Sequence, residues 1–249
     1  MNLDRVIAVR NNKTVYRDGN KCIKLFNVDF SKADVLNEAL NQARIEETGL
    51  HIPKVIEVTT HDGKWAIVSE YIVGKTLAEL MQAHPERKNE YIDLLVQLQM
   101  EVHAKTCPLL NRLRDKMSRM IAVTDLDATL RYDLHTRLEA MPRHNKICHG
   151  DFNPSNVVIT EDGTPYILDW SHATQGNAAA DIARTYLWFC LRHENEEAER
   201  YLDEFCSKSG TDRRYVQKWL PMVAAAQLTK GNAEEREMLE TWTRVVDYH

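Results

Sequence analysis

Between Cys148 and Trp170 the chain carries residues whose types and spacing suit one chemistry. The run Cys148-His149-Gly150-Asp151-Phe152-Asn153-Pro154-Ser155-Asn156-Val157-Val158-Ile159 is followed, ten residues beyond Ile159, by Asp169 in Ile167-Leu168-Asp169-Trp170. Two carboxylates and one amide thus fall at loop positions beside a hairpin. Moving a phosphoryl group from a nucleotide to a hydroxyl requires a carboxylate that orients the attacking oxygen and takes its proton, together with oxygen ligands for magnesium on the phosphates. Asp151, Asn156 and Asp169 supply that set. Magnesium is a hard ion that prefers oxygen donors and keeps several waters, so an Asn carbonyl with an Asp carboxylate suits it. No His/Cys cluster in the sequence competes for a softer metal.

These residues need elements to position them, and the hydrophobic pattern changes character once along the chain. Arg5–Val9, Thr14–Arg17 and Lys21–Phe26, the last two joined by Asp18-Gly19-Asn20, predict an antiparallel three-stranded start. Ser31 with Asp34 three residues on marks a helix start and Gly49 a stop, with Leu36, Ala39, Leu40 and Ala43 as the expected apolar stripe. Two more strands, Lys54–Thr60 and Lys64–Tyr71 around His61-Asp62-Gly63, complete a five-stranded antiparallel sheet with one helix against it. Beyond Gly74 the period becomes 3.6: Tyr91, Leu94, Leu95, Leu98 and Val102 share one face of a helix expected over 87–104. Further helices are expected over 112–121, 125–140, 178–193, 196–208, 212–229 and 233–246. Short strands at Ile147-Cys148, Val157–Ile159 and Tyr166–Leu168 interrupt them. The expected fold class is α+β, with domains at residues 1–73 and 74–249.

Composition bounds the function. With 249 residues, 43% hydrophobic and 28% charged, the chain can bury a sizeable core. A formal charge of −5 offers no basic field, so nucleic acid is not an expected partner. No window approaches the ~18 apolar residues of a membrane span, and the start Met-Asn-Leu-Asp-Arg lacks a signal peptide's apolar core. No membrane association is expected, and the expected location is cytoplasmic. The five cysteines are widely separated with no C-x-x-C pair and read as buried thiols.

The His-Gly-Asp triplet, the Asn five residues after its Asp, and the Leu-Asp-Trp beyond the next strand resemble the aminoglycoside phosphotransferase and choline kinase superfamily, which shares the protein-kinase-like fold. The resemblance implies a bilobal molecule: an N-terminal nucleotide-binding lobe at 1–73 and a C-terminal catalytic and substrate-binding lobe at 74–249. It implies Asp151 as catalytic base, Asn156 and Asp169 as Mg2+ ligands, and ATP or GTP as phosphoryl donor. It also implies a lysine on the third strand and a glutamate on the following helix. Lys24 and Glu38 stand there. Taken alone, Lys24 reads as an edge-strand lysine reaching for water. An ammonium withdrawn from water needs an anion, however, and a nucleotide phosphate with Glu38 would provide it. Lys24 shares a strand face with Cys22 and Phe26. Glu46 and Glu47 compete with Glu38 but sit near the helix end.

Val68–Gly74 resembles the hinge between lobes, whose backbone at Glu70, Tyr71 and Ile72 would read a purine edge. The first hairpin would cover the phosphates, but Arg10-Asn11-Asn12-Lys13 contains no glycine; Asn11 and Asn12 are residues that tolerate a tight turn's left-handed backbone. Asp169-Trp170-Ser171 replaces the Asp-Phe-Gly of protein kinases and no Ala-Pro-Glu follows, which disfavours a protein substrate. The resemblance implies a second anchoring aspartate on the next helix, matched by Asp181 in Ala180-Asp-Ile-Ala-Arg184, and a scaffold role for His149; Asp181 and Arg184 read as structural support of the catalytic loop, with a substrate contact as the lesser alternative. The implied partner is a small-molecule hydroxyl acceptor, aminoglycoside-like by resemblance, with choline, ethanolamine or a sugar as alternatives. A nucleotide-binding pseudokinase acting as an interaction module would lack Lys24, Asp151, Asn156 or Asp169, and all four are present. Tyr186, Trp188, Trp219 and Trp242 could cage a quaternary ammonium by cation–π attraction, with core packing as the plainer reading. The acidic run Glu194–Glu199 with Asp203 and Glu204 reads as a solvated helix face.

Overall fold

The computed structural model describes residue 3 and residues 5–245; Val246, the last residue of the final expected helix, lies outside the described residues. The chain opens with β1 (Arg5–Val9), β2 (Lys13–Asp18), β3 (Lys21–Phe26), α1 (Lys32–Glu46), β4 (Val55–His61) and β5 (Lys64–Glu70). It continues with β6 (Lys75–Thr76), α2 (Leu77–Ala83), α3 (Lys88–His103), α4 (Leu113–Ala122) and α5 (Ala128–Ala140). Four short strands follow with a helix: β7 (Lys146–Cys148), β8 (Val157–Ile159), β9 (Pro165–Ile167), β10 (Thr174–Gly176) and α6 (Ala178–Leu191). The last elements are α7 (Asn195–Ser209), α8 (Arg213–Gln217), α9 (Leu220–Leu228) and α10 (Arg236–Thr243).

Two compact units form, Met1–Ala83 with Pro154–Ala173, and His84–Asn153 with Thr174–His249. The single boundary at Gly74 that the change of period suggests does not describe them. The reason is a strand pairing: β6 lies antiparallel to β8 through Lys75–Ile159 and Thr76–Val158. This draws the β8–β9 hairpin, with Asn156 and Asp169 at its mouth, into the first unit. Gly74 allows the approach, because a Cβ there would stand 2.8 Å from the Ile159 carbonyl carbon and from Val158 Cγ1.

In the first unit the five strands run antiparallel in the order β1-β2-β3-β5-β4. Strand alternation divides β3 between two layers. Ile23 and Leu25 pack with Ala66 and Val68 on one face. Phe26 joins Val35, Ala39 and Ile67 on the face that α1 covers, and Lys24 alternates onto that face. Ser31 caps α1 by accepting from the Ala33 N–H. The stripe expected for α1 is overturned in part: Leu36 and Leu40 are 44% and 48% exposed. The buried face carries Val35, Glu38, Ala39, Asn41, Gln42 and Ile45, half of them polar. These polar side chains have partners inside: Gln42 donates to the Pro53 carbonyl at 2.6 Å and Asn41 to that of Ser171.

The second unit is helical apart from the β7–β10 pair. Its core is built by Leu95 and Val96 of α3, Leu187 and Phe189 of α6, Tyr201 and Leu202 of α7, and Met222 to Ala225 of α9, all at most 5% exposed. The single helix expected over 212–229 is two, α8 and α9, because Pro221 stands in the first turn of α9 and has no N–H to continue a ladder.

Candidate functional site

Four side chains of the first unit form a charged chain. Lys24 Nζ on β3 lies 2.6 Å from Glu38 Oε1 on α1 and 3.1 Å from Asp169 Oδ1 beyond β9. The structure thereby brings together three of the residues singled out from the sequence. A fourth was missed: Lys13 Nζ meets both Glu38 oxygens, at 2.9 and 3.1 Å, and is itself buried. Its strand position explains this, because Lys13 opens β2 opposite Phe26 and its ammonium lies over the Phe26 ring, 5.4 Å from the centroid. Burial pushes the Lys24 ammonium down, but the Asp169 and Glu38 carboxylates overcome it and hold the group above its ordinary value. Burial likewise pushes Asp169 up, and the charges of Lys24 and Lys13 reverse this, holding its carboxyl well below the usual range. Asp169 is therefore a carboxylate, as a metal ligand must be.

Asn156 and Asp169 are placed by one hairpin. Val157 pairs with Ile167, so the residues just outside that pair face each other, and the Leu168 N–H donates to the Asn156 carbonyl at 2.8 Å. Asp169 follows with a left-handed backbone, φ 57 and ψ 69, which costs an L-residue about 1–2 kcal/mol and is tolerated best by Asp and Asn. Trp170 holds the next step, fully buried, its indole N–H donating to the Ile167 carbonyl at 3.1 Å. The donor set of Asn156 and Asp169, an amide oxygen and a carboxylate, matches a hard ion that keeps several waters. Among the described residues no group of three or more His, Cys, Asp or Glu is placed to cage a softer metal.

The remaining candidates of the first unit are more committed to internal bonds. The Glu70 N–H donates to the Lys54 carbonyl at 2.9 Å and its carboxylate accepts from the Lys54 N–H. The Tyr71 N–H donates to the Asn20 carbonyl at 2.8 Å, and the Arg17 guanidinium lies 4.2 Å over the Tyr71 ring. Ile72 follows, half-buried. In the first hairpin the carbonyls of Asn11 and Asn12 accept from the side chain and backbone N–H of Asn27, which ties this turn to the end of β3.

In the second unit the loop after β7 is held by one carboxylate. Asp181 Oδ1 accepts from the Gly150 N–H at 2.7 Å, and Oδ2 from the His149 N–H at 3.1 Å. His103 Nε2 lies 3.0 Å from Oδ2, and Gln99 adds a bond at 3.3 Å. Burial pushes the Asp181 carboxyl up, but the hydrogen bond and charge of His103, with His149 and the Gly150 N–H, hold it below its ordinary value. His149 is buried, and its Nδ1 accepts from the Asp151 N–H at 3.2 Å. Gly150 takes φ +80, a backbone open to glycine. Asp151 itself is held by Arg184, whose Nη2 lies 3.0 Å from Oδ1.

The aromatic residues of this unit do not gather as one cage. Tyr186 packs on Trp242 and donates to Glu199, Trp188 packs on Phe189 and Arg192, and Trp219 is buried. The acidic run on α7 is paired with cations: Glu197 with Lys88, Glu204 with Arg200 and Lys208, and Glu199 and Asp203 with Arg213.

The model of the phosphotransferase enzyme family matches residues 8–219. The fold is also that of solved small-molecule kinases. A thermostable mutant of the aminoglycoside phosphotransferase APH(4)-Ia superposes with a TM-score of 0.70 at 17% identity, over 95% of this chain and 91% of that one. Aminoglycoside-3'-phosphotransferase of type VIII gives 0.66 at 17% identity, over 90% and 92%. The choline kinase LicA from Streptococcus pneumoniae gives 0.64 at 16% identity, over 96% and 87%. No curated protein matches the chain. With the family model spanning most of its length, the α+β chain belongs to the phosphotransferase enzyme family.

Proposed function

We propose that the protein transfers the γ-phosphoryl group of ATP or GTP to a hydroxyl of a small molecule. The observation that carries this reading is the Lys24 ammonium bridging Glu38 and Asp169, an arrangement that phosphoryl-transfer enzymes use to hold donor phosphates. Neighbours of the same fold support it: APH(4)-Ia has been solved with AMP-PNP and hygromycin B, and LicA with AMP. In this reading the first unit holds the nucleotide and the second carries the base and the acceptor. The backbone of Glu70 to Ile72 meets the base through groups other than the amides of Glu70 and Tyr71, which are already bonded. The turn at Asn11 and Asn12 lies over the phosphates. Asn156 and Asp169 would hold Mg2+, which when bound neutralises phosphate oxygens.

Lys24, fixed at both ends, presents its charge to the donor without reorganising. Asp151 orients the acceptor hydroxyl and takes its proton as the acceptor oxygen bonds to the γ-phosphorus. The bond from that phosphorus to the bridging oxygen breaks, and the nucleoside diphosphate leaves. Asp181, His149 and Arg184 act by positioning the loop and the Asp151 carboxylate.

An assay of ATP and GTP consumption against aminoglycosides, choline, ethanolamine, sugars and hydroxylated acids tests this, with phosphomonoester product read by phosphorus NMR. Consumption that needs both acceptor and magnesium is expected. Nucleotide binding with no phosphomonoester from any acceptor would favour a pseudokinase that works by interaction.

A further inference from the structure

Within the first unit, the hairpin turn between β1 and β2 lacks the backbone device that cradles phosphate in a glycine-rich loop. Arg10-Asn11-Asn12-Lys13 contains no glycine. Among the described residues the non-glycines with positive φ are Asp62, Asp169 and His193, so the turn has no left-handed residue and no αR–αL nest of N–H groups. The Arg10 N–H is committed to the Lys13 carbonyl at 2.9 Å, and the Asn11 and Asn12 carbonyls hold Asn27.

What the turn does carry is a buried cation at its end. Lys13 is 8% exposed, and its ammonium is placed by bonds to the two Glu38 oxygens at 2.9 and 3.1 Å. Those bonds use at most two of its three N–H donors. Lys24 meets the same Glu38 Oε1 at 2.6 Å, so two ammonium groups converge on one carboxylate oxygen. With Asp169, 3.1 Å from Lys24, the four charges balance. In the proposed reaction Asp169 also serves Mg2+, which leaves the two lysines with one negative charge between them. Ammonium groups withdrawn from water need an anion, and a triphosphate supplies it. Arg10, the other cation of the turn, is exposed and donates to the Val9 carbonyl.

We propose that Lys13 is a second cation for the donor phosphates, doing with a side chain what a glycine-rich cover does with backbone N–H groups. The assignment rests on the phosphoryl-transfer reading. Before nucleotide arrives, Glu38 keeps both ammonium groups in place. With the triphosphate bound, the Lys13 ammonium shares its donors between Glu38 and the phosphate chain. Lys13 thereby favours a nucleoside triphosphate over a monophosphate.

Calorimetric titration of the full chain in magnesium tests this, with AMP-PNP and AMP as probes of the wild type, Lys13→Met, Lys13→Gln and Lys13→Arg, each checked by thermal melt. Lys13→Met and Lys13→Gln should weaken AMP-PNP about three- to eightfold, less than a full charged hydrogen bond because Glu38 keeps part of the ammonium's bonding. AMP should change less than about twofold, and Lys13→Arg should hold AMP-PNP within about twofold of the wild type. Lys13→Gln keeps a hydrogen bond to Glu38 without the charge, and it carries the test alone where Lys13→Met does not fold. Wild-type AMP-PNP affinity in Lys13→Gln would overturn the proposal. So would an equal loss for AMP and AMP-PNP, which would make Lys13 a support of the sheet only. Phosphoryl transfer by the wild type, with AMP-PNP affinity indifferent to residue 13, refutes the lysine's role alone. Lys13-dependent AMP-PNP binding with no phosphomonoester from any acceptor refutes the transfer reading alone.

Discussion

Glu38 is a buried carboxylate shared by two lysines whose roles differ. Lys24 reaches on to Asp169, whereas Lys13 is ion-paired with Glu38. Removing Lys24 leaves Asp169 without the cation 3.1 Å away and, in the proposed function, takes a charge from the donor phosphates, so Lys24→Met should lower kcat/KM for the nucleotide by about 10- to 100-fold. Lys13→Met should cost less than about tenfold, since Lys24 still compensates Glu38; equal losses would contradict the distinction. Lys24, Glu38 and Asp169 were legible in the sequence because the resemblance carried by the His-Gly-Asp and Leu-Asp-Trp motifs implies a strand lysine and a helix glutamate. Lys13 was not, since in Arg10-Asn11-Asn12-Lys13 it is one polar turn residue among four, and only its pairing with Phe26 turns it inward. Asp181 carries a pH prediction. Its folded carboxyl is held below its ordinary value near 3.8, so its stabilisation is complete above about pH 4 and fades as pH falls through the folded value. Asp181→Asn leaves one oxygen for donors that now use two, costing about 1–3 kcal/mol. In thermal melts the gap between Asp181→Asn and the wild type should shrink as pH falls below about pH 4.

The elements differ in how far local pattern determines them. The five strands of the first sheet follow from alternation and from Asp-Gly turns, with Gly19 and Gly63 at φ +60 and +75. Strands β6 and β10, two and three residues long, have no periodicity to read and exist through tertiary pairing with β8 and β7. Helix α1 shows the opposite failure: its hydrophobic residues suggested a face that packing does not use. Its inner face must accommodate Glu38 beneath Lys13 and Lys24, and this rotates Leu36 and Leu40 outward. Leu40→Ser should therefore change stability by less than about 0.5 kcal/mol. Ile45→Ala, at a fully buried position, should cost about 2–5 kcal/mol in urea unfolding. A large loss for Leu40→Ser would restore the helix face expected from sequence.

For the whole molecule, nucleotide binding is coupled to unfolding. A ligand at 100 times its Kd stabilises the native state by about 2.7 kcal/mol, which for a chain of this size raises Tm by roughly 5–10 °C. AMP-PNP with magnesium should produce such a shift, and AMP-PNP with EDTA much less if Asn156 and Asp169 hold the ion. The class of reaction was legible from the sequence because its chemistry needs few residues at short spacing. The acceptor was not, since the residues that meet Asp151 come from separate elements, Arg184 of α6 and Lys230 of the turn after α9, 46 positions apart in the chain. The most direct measurement of the central claim is turnover of Asp151→Asn beside the wild type, on whichever acceptor the assay identifies, with AMP-PNP affinity measured on both. The account predicts a fall in kcat of about 10²- to 10⁴-fold with nucleotide affinity retained. Turnover in Asp151→Asn at the wild-type rate would contradict it.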